Sequence, residues 1–86
     1  MKTPFRVLLV GSIDPSQRRE YDHGTACFSF CVTSRDASSF LVHAQGELAE
    51  KCRALLPEDG SVFVEGTSTD NRNIEATTIH VIEKSL

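Results

Sequence analysis

Apolar residues recur along this chain with two different periods, and the places where the period changes lay out its elements. Residues 6–13 are rich in aliphatic and β-branched side chains and predict a first strand, with Gly11 leaving room for a bulge or bend. Asp14-Pro15-Ser16 is a turn signal, and the polar stretch 17–24 reads as a loop or a poorly packed hairpin tip. Residues 25–34 alternate: Phe28, Phe30 and Val32 share one face, and Cys27, Ser29, Cys31 and Thr33 share the other. A period of two over this length predicts a half-buried second strand. The short connection Arg35-Asp36-Ala37-Ser38 leads into a third, residues 39–45, where Phe40, Val42 and Ala44 oppose Leu41, His43 and Gln45. The period then lengthens. Leu48, Cys52 and Leu55 form a helical stripe within residues 47–56, with Glu47 at the start, Lys51 and Arg53 toward the end, and Pro57 as a stop. Alternation returns in residues 61–67, with Val62 and Val64 against Phe63 and Glu65, and in residues 74–82 after the turn signal Asp70-Asn71-Arg72-Asn73.

The order is therefore β-β-β-α-β-β. It predicts an all-β fold: a five-stranded Greek-key barrel with one short helix between the third and fourth strands, which is the OB-fold. At 86 residues the chain reads as one domain, residues 1–86, with a core small enough to rely on barrel closure or subunit contacts. No apolar run approaches the roughly 18 residues of a membrane span. The run 7–10, interrupted by Gly11, is too short for a signal peptide. Three cysteines, an odd number, then read as reduced thiols in a cytoplasm. A net charge of −3 argues against coating duplex DNA by charge alone, although one face can still be basic.

Four segments resemble the bacterial single-stranded DNA-binding protein family, which includes primosomal replication protein N. Val7-Leu8-Leu9-Val10-Gly11 with Asp14-Pro15 and Arg18 is similar to the family's opening strand and loop. Gly24-Thr25-Ala26 followed by Phe28-Ser29-Phe30-Cys31-Val32 resembles its second strand. Gly46-Glu47-Leu48-Ala49-Glu50 resembles its strand-to-helix junction, and Gly60-Ser61-Val62-Phe63-Val64-Glu65-Gly66 its fourth strand. The resemblance implies sequence-independent binding of single-stranded DNA in replication, recombination or repair, assembly into homodimers or homotetramers, and replication proteins as partners. The departures are specific. There is no Trp, and Ser39, Leu41, His43 and Gln45 occupy the face where the family often has rings. The connection between the last two strands is shorter than usual, and the long tail with its acidic tip has no counterpart.

Single strands are held by rings that stack on bases and cations that neutralise phosphates, each stacked base contributing about 1–3 kcal/mol. The ring candidates are Phe63, which alternates away from the inferred core, Tyr21 in the polar segment, and His43. Phe28, Phe30 and Phe40 read as core. The cation candidates are Arg6, Arg18, Arg19, Arg35 and Arg72, of which Arg18 also matches the family's loop arginine. Asp14, Glu20 and Asp22 oppose them in the same segment. Cys27 and Cys31, with His23 and His43, lack the tight turn spacing of structural zinc ligands, so no metal is assigned. Nothing in the chain implies a cofactor or has the spacing of a catalytic constellation. With so few rings, one subunit is expected to bind at micromolar strength or weaker. The choice between DNA and RNA is open. A second reading is a protein-interaction or oligomerisation module, favoured by the missing rings and negative charge and opposed by the arginines of the first loops.

Overall fold

The computed structural model describes residues 3–22 and 24–84; His23, considered above as a ligand, lies outside them. The elements are β1 (Phe5–Asp22), β2 (Ala26–Ser34), β3 (Ser39–Gln45), α1 (Glu47–Leu55), β4 (Gly60–Ser68) and β5 (Asn73–Lys84). The strands close in the order β1-β2-β3-β5-β4, all antiparallel except the short parallel pairing of β3 with β5. This is the expected OB-fold. Among the described residues no helix is long and apolar enough to cross a membrane.

The alternation seen in the sequence becomes the inside and outside of the barrel. Phe28 and Phe30 meet edge to face, their centroids 6.0 Å apart, and pack with Leu9, Ile13, Val32, Val42, Val62, Val64 and Ile74. Ala49, Cys52 and Leu56 are buried in the same cluster, so α1 plugs the end of the barrel, packing mainly on β2 and β3. Gly46 makes this plug possible. Its φ of +64° turns the chain from strand into helix, a conformation that costs any residue with a Cβ. At the far end Leu56 is extended, as a residue before proline must be. Gly11 pairs with Ser34 on one side and Val62 on the other, and the Thr33 carbonyl sits where a Cβ would be.

At residues 17–22 the structure takes the hairpin of the two readings, a loop or a poorly packed hairpin tip, and makes it a continuation of β1. After a register break between Asp14 and Arg19, β1 resumes and pairs Arg19–Asp22 with Ser29–Ala26, forming a hairpin arm. Polarity hid this continuity because the arm has no apolar face; its pairing is held by backbone bonds and by the side chains described next.

Candidate nucleic-acid interface

The outer face of β2 and β3 and the arm of β1 enclose a shallow groove. Ser16, Gln17, Arg18, Arg19, Tyr21, Ser29, Leu41 and His43 line it. Alternation along the arm sorts its charges. Arg19 and Tyr21 share one side, with the Arg19 guanidinium 5.3 Å from the centre of the Tyr21 ring. Glu20 lies on the other and pairs with Arg53 of α1 at 2.7 Å. This acid, expected to oppose phosphate, is therefore neutralised against the helix. Asp14 is not: hydrogen bonds from the Ser16 backbone and hydroxyl hold its carboxyl below the usual range, so it remains charged at the groove's end.

The floor of the groove is a chain of hydrogen bonds whose directions are fixed one by one. The Asp70 carboxylate can only accept, so Asn73 turns its amide nitrogen toward it, at 2.9 Å. The Asn73 amide oxygen then faces His43 Nε2 at 3.2 Å, and that nitrogen must carry the proton. In a neutral ring this leaves Nδ1 to accept from the Ser29 hydroxyl at 3.0 Å. His43 is thus held at both nitrogens and has its ring face, not its edge, to offer. Asp70 also accepts the backbone N–H groups of Arg72 and Asn73, which put its carboxyl far below the usual range. Asn73 and Asp70 were legible only as turn formers, and Ser29 only as a residue on the face opposite Phe28.

Arg18, the strongest arginine candidate in the sequence, has a different task. Its Nη1 and Nη2 donate to the carbonyls of Pro57 and Leu56 at 3.1 and 2.9 Å, and its guanidinium lies 5.0 Å from the Phe28 ring centre. It closes the C-terminal end of α1, where unpaired carbonyls collect. Two of its N–H groups are thus held at the helix end, while its side chain also lines the groove.

Phe63 points away from the core, as its alternation predicts, but it stands outside the β2–β3 groove. It sits on the outer face of β1, β4 and β5, beside Val10 in register and with its ring centre 6.4 Å from that of His80. β5 lies between β4 and β3, but Phe63 is in register with its His80 and His43 with its Glu75, so the two rings stand at different places along that strand. Arg6 lies on this same outer face and forms an ion pair with Glu65. Arg35 is exposed in the turn between β2 and β3, and Arg72 in the turn between β4 and β5. The backbone carbonyl of Arg72 accepts from Leu41 N at 2.8 Å, which places that turn at the groove's β3 end. Of the eight candidates, the groove brings together Arg18, Arg19, Tyr21 and His43, with Arg72 at its edge.

No protein-family model and no curated protein matches this sequence. Solved structures do. The second single-stranded DNA-binding protein of Mycobacterium smegmatis superposes with a TM-score of 0.76 at 25% identity, over 95% of this chain and 90% of its own. The small single-stranded DNA-binding protein of Streptomyces coelicolor gives 0.69 at 22% identity, over 94% and 95%. The chain has the OB-fold of the bacterial single-stranded DNA-binding protein family.

Proposed function

We propose that this protein binds single-stranded DNA without sequence preference, through the β2–β3 groove, in replication, recombination or repair in the cytoplasm. The observation that carries the reading is the groove itself. It has a cation and a ring on one wall, Arg19 and Tyr21, and a fixed imidazole, His43, on its floor. Because Ser29, His43 and Asn73 satisfy one another, the floor offers π-surface rather than free base-reading donors, which suits stacking on any base. Arg72 extends the cationic track at the groove's β3 end, whereas Arg35 lines a separate hollow with Gly11, Thr33 and Ser61. The likeness to two single-stranded DNA-binding proteins over nearly the whole chain supports the same ligand.

The protein works as a homodimer or homotetramer in this reading. Residues 5–10 of β1 pair with β4 alone, which leaves their other backbone edge open, and Leu8 and Val10 are 61% and 55% exposed beside Phe63. An apolar face next to an open edge favours contact with a second copy, and replication proteins are further candidate partners.

The test is a titration with oligo-dT of about 35 nucleotides, long enough to span more than one OB-fold. Tyr21 is the only tyrosine and there is no Trp, so intrinsic emission reports on the groove directly. Binding should quench it. Arg19→Ala combined with Tyr21→Ala, followed by anisotropy of a labelled oligonucleotide, should weaken binding at least about tenfold, the loss of one stacked ring and one phosphate contact. No binding of the parent at low salt would overturn the proposal; full binding by the double variant would move the site elsewhere. An oligo-U of equal length, run beside it, ranks RNA against DNA.

A further inference from the structure

A second groove lies away from the β2–β3 face and shares no lining residue with it. It runs between α1 and β5, encloses about 200 Å³, and is lined by Leu48, Lys51, Cys52, Leu55, Leu56, Ile79, His80 and Val81. Three consecutive residues of β5 line it. Successive strand side chains point to opposite faces, so three in a row share only the strand's edge. The pairing explains why that edge is bare. β3 pairs with β5 only from Asn73 to Glu75, and residues 76–84 pair with β4 alone. Beyond Gln45 the place of a neighbouring strand is taken by α1, which packs mainly on β2 and β3 and touches β5 little.

The rims are apolar. Leu55 on the helix is 69% exposed and Val81 on the strand 37%. An open backbone edge facing a helix across an apolar groove is the arrangement that takes up an extended peptide: its main chain extends the sheet and its alternate side chains enter the groove. Charge narrows the choice. Lys51 is the one charged side chain among the lining residues, and it forms no ion pair among the described residues, Glu47 one turn earlier included.

We propose that the α1–β5 groove receives an extended segment of a partner protein, paired along β5, with apolar side chains at alternate positions and a carboxylate against Lys51. Leu48 and Leu55 cover one side of the segment, and Ile79 and Val81 the other. The groove leaves the β2–β3 face free, so partner and nucleic acid are held at once.

The probe is the acetylated heptapeptide Asp-Ile-Thr-Val-Thr-Ile-Asp, which alternates apolar residues and carries carboxylates at both ends, so that either strand direction is served. Titrated into the ¹⁵N-labelled full chain, it should give saturable amide shifts confined to residues 76–82 and α1. Methylation of alternate peptide nitrogens should abolish them, because the peptide then has no N–H to donate to the β5 carbonyls. Leu55→Glu, at an exposed position, should raise Kd more than about tenfold, the loss of one buried leucine contact. Lys51→Gln, whose circular dichroism should match the parent's, should weaken binding several-fold and remove most of its salt dependence. Absence of saturable shifts, shifts centred on another surface, or equal binding of the methylated peptide would overturn the proposal. So would the same shifts appearing with protein concentration alone, which would assign the edge to a second copy. Oligo-dT binding is read separately, so either inference can fail while the other stands.

Discussion

Arg18 and Arg19 are adjacent in sequence and serve opposite sides of the same arm. Arg18 ties the arm to the end of α1 and to Phe28; Arg19 lies over Tyr21 at the groove. Their substitutions should therefore separate. Arg18→Ala removes charged donors from two carbonyls, and should cost about 1–3 kcal/mol in urea unfolding while leaving the salt slope of oligo-dT binding unchanged. Arg19→Ala should leave stability within about 0.5 kcal/mol and flatten that slope by about 0.7. The opposite pattern would return Arg18 to the phosphates. The family resemblance pointed to Arg18 because a motif carries identity without direction, and direction depends on where α1 ends. Asp70 gives a pH dependence at the same scale. Its carboxyl lies well below the ordinary 3.8 in the fold, so the stability it contributes is complete above that value and declines as pH falls through it. Asp70→Ala, which also releases Asn73 and through it His43, should lower the urea midpoint at neutral pH. The gap from the parent should narrow as the solution is acidified below pH 4, taken as about the unfolded value. A gap independent of pH would remove the carboxylate from the account.

At the scale of elements, the sequence was legible wherever burial imposed a period. β3 and the start of α1 fall where the pattern placed them, and β2, β4 and β5 differ by one or two residues at their ends. The arm was legible only as a loop or a poorly packed hairpin tip, and its continuity with β1 was not, because its faces are little covered and no alternation of hydrophobicity records it. The groove floor failed for another reason: Ser29, His43, Asn73 and Asp70 meet across β2, β3, β5 and a turn, and no local spacing reports a contact between strands that pair only after closure. The helix did announce its buried stripe, and Cys52 within it can be titrated. Burial pushes its thiol from 9.0 up to about 11, against the opposing pull of Arg18. Below 9.0 the thiol is neutral in both states and contributes no pH dependence. Above it the unfolded chain ionises first, so stability falls as pH rises toward 11. In Cys52→Ala this component should vanish, and the difference in urea midpoint between variant and parent should shrink across that window. An unchanged difference would mean that α1 does not seal the barrel's end.

Across the whole molecule, a net charge of −3 makes the placement of the arginines more important than their number. Arg19 and Arg72 serve the groove side, Arg53 and Arg18 are committed to α1, and Arg6 is paired with Glu65 on the opposite wall. In the reading proposed above, one copy of the chain offers a single strand a short track with two rings, Tyr21 and His43. The proposed assembly would compensate without new contacts, because a strand held in one groove would meet the next at high effective concentration. The face available for assembly is the one that holds Phe63. Leu8, Val10 and Phe63 form an apolar stripe across β1 and β4, with the His80 ring of β5 beside it and the open edge of residues 5–10 next to it. Leu8→Glu with Val10→Glu changes two exposed side chains, so the barrel should remain intact. In sedimentation the parent should run as a dimer or tetramer and the variant as a monomer. For an oligo-dT of about 35 nucleotides the variant should lose at least about tenfold in affinity, while one of about 8 nucleotides, within reach of a single groove, should bind both alike. A monomeric parent, or a variant of undiminished mass, would leave Phe63 to another partner. Equal loss on both oligonucleotides would place the stripe in the binding surface itself.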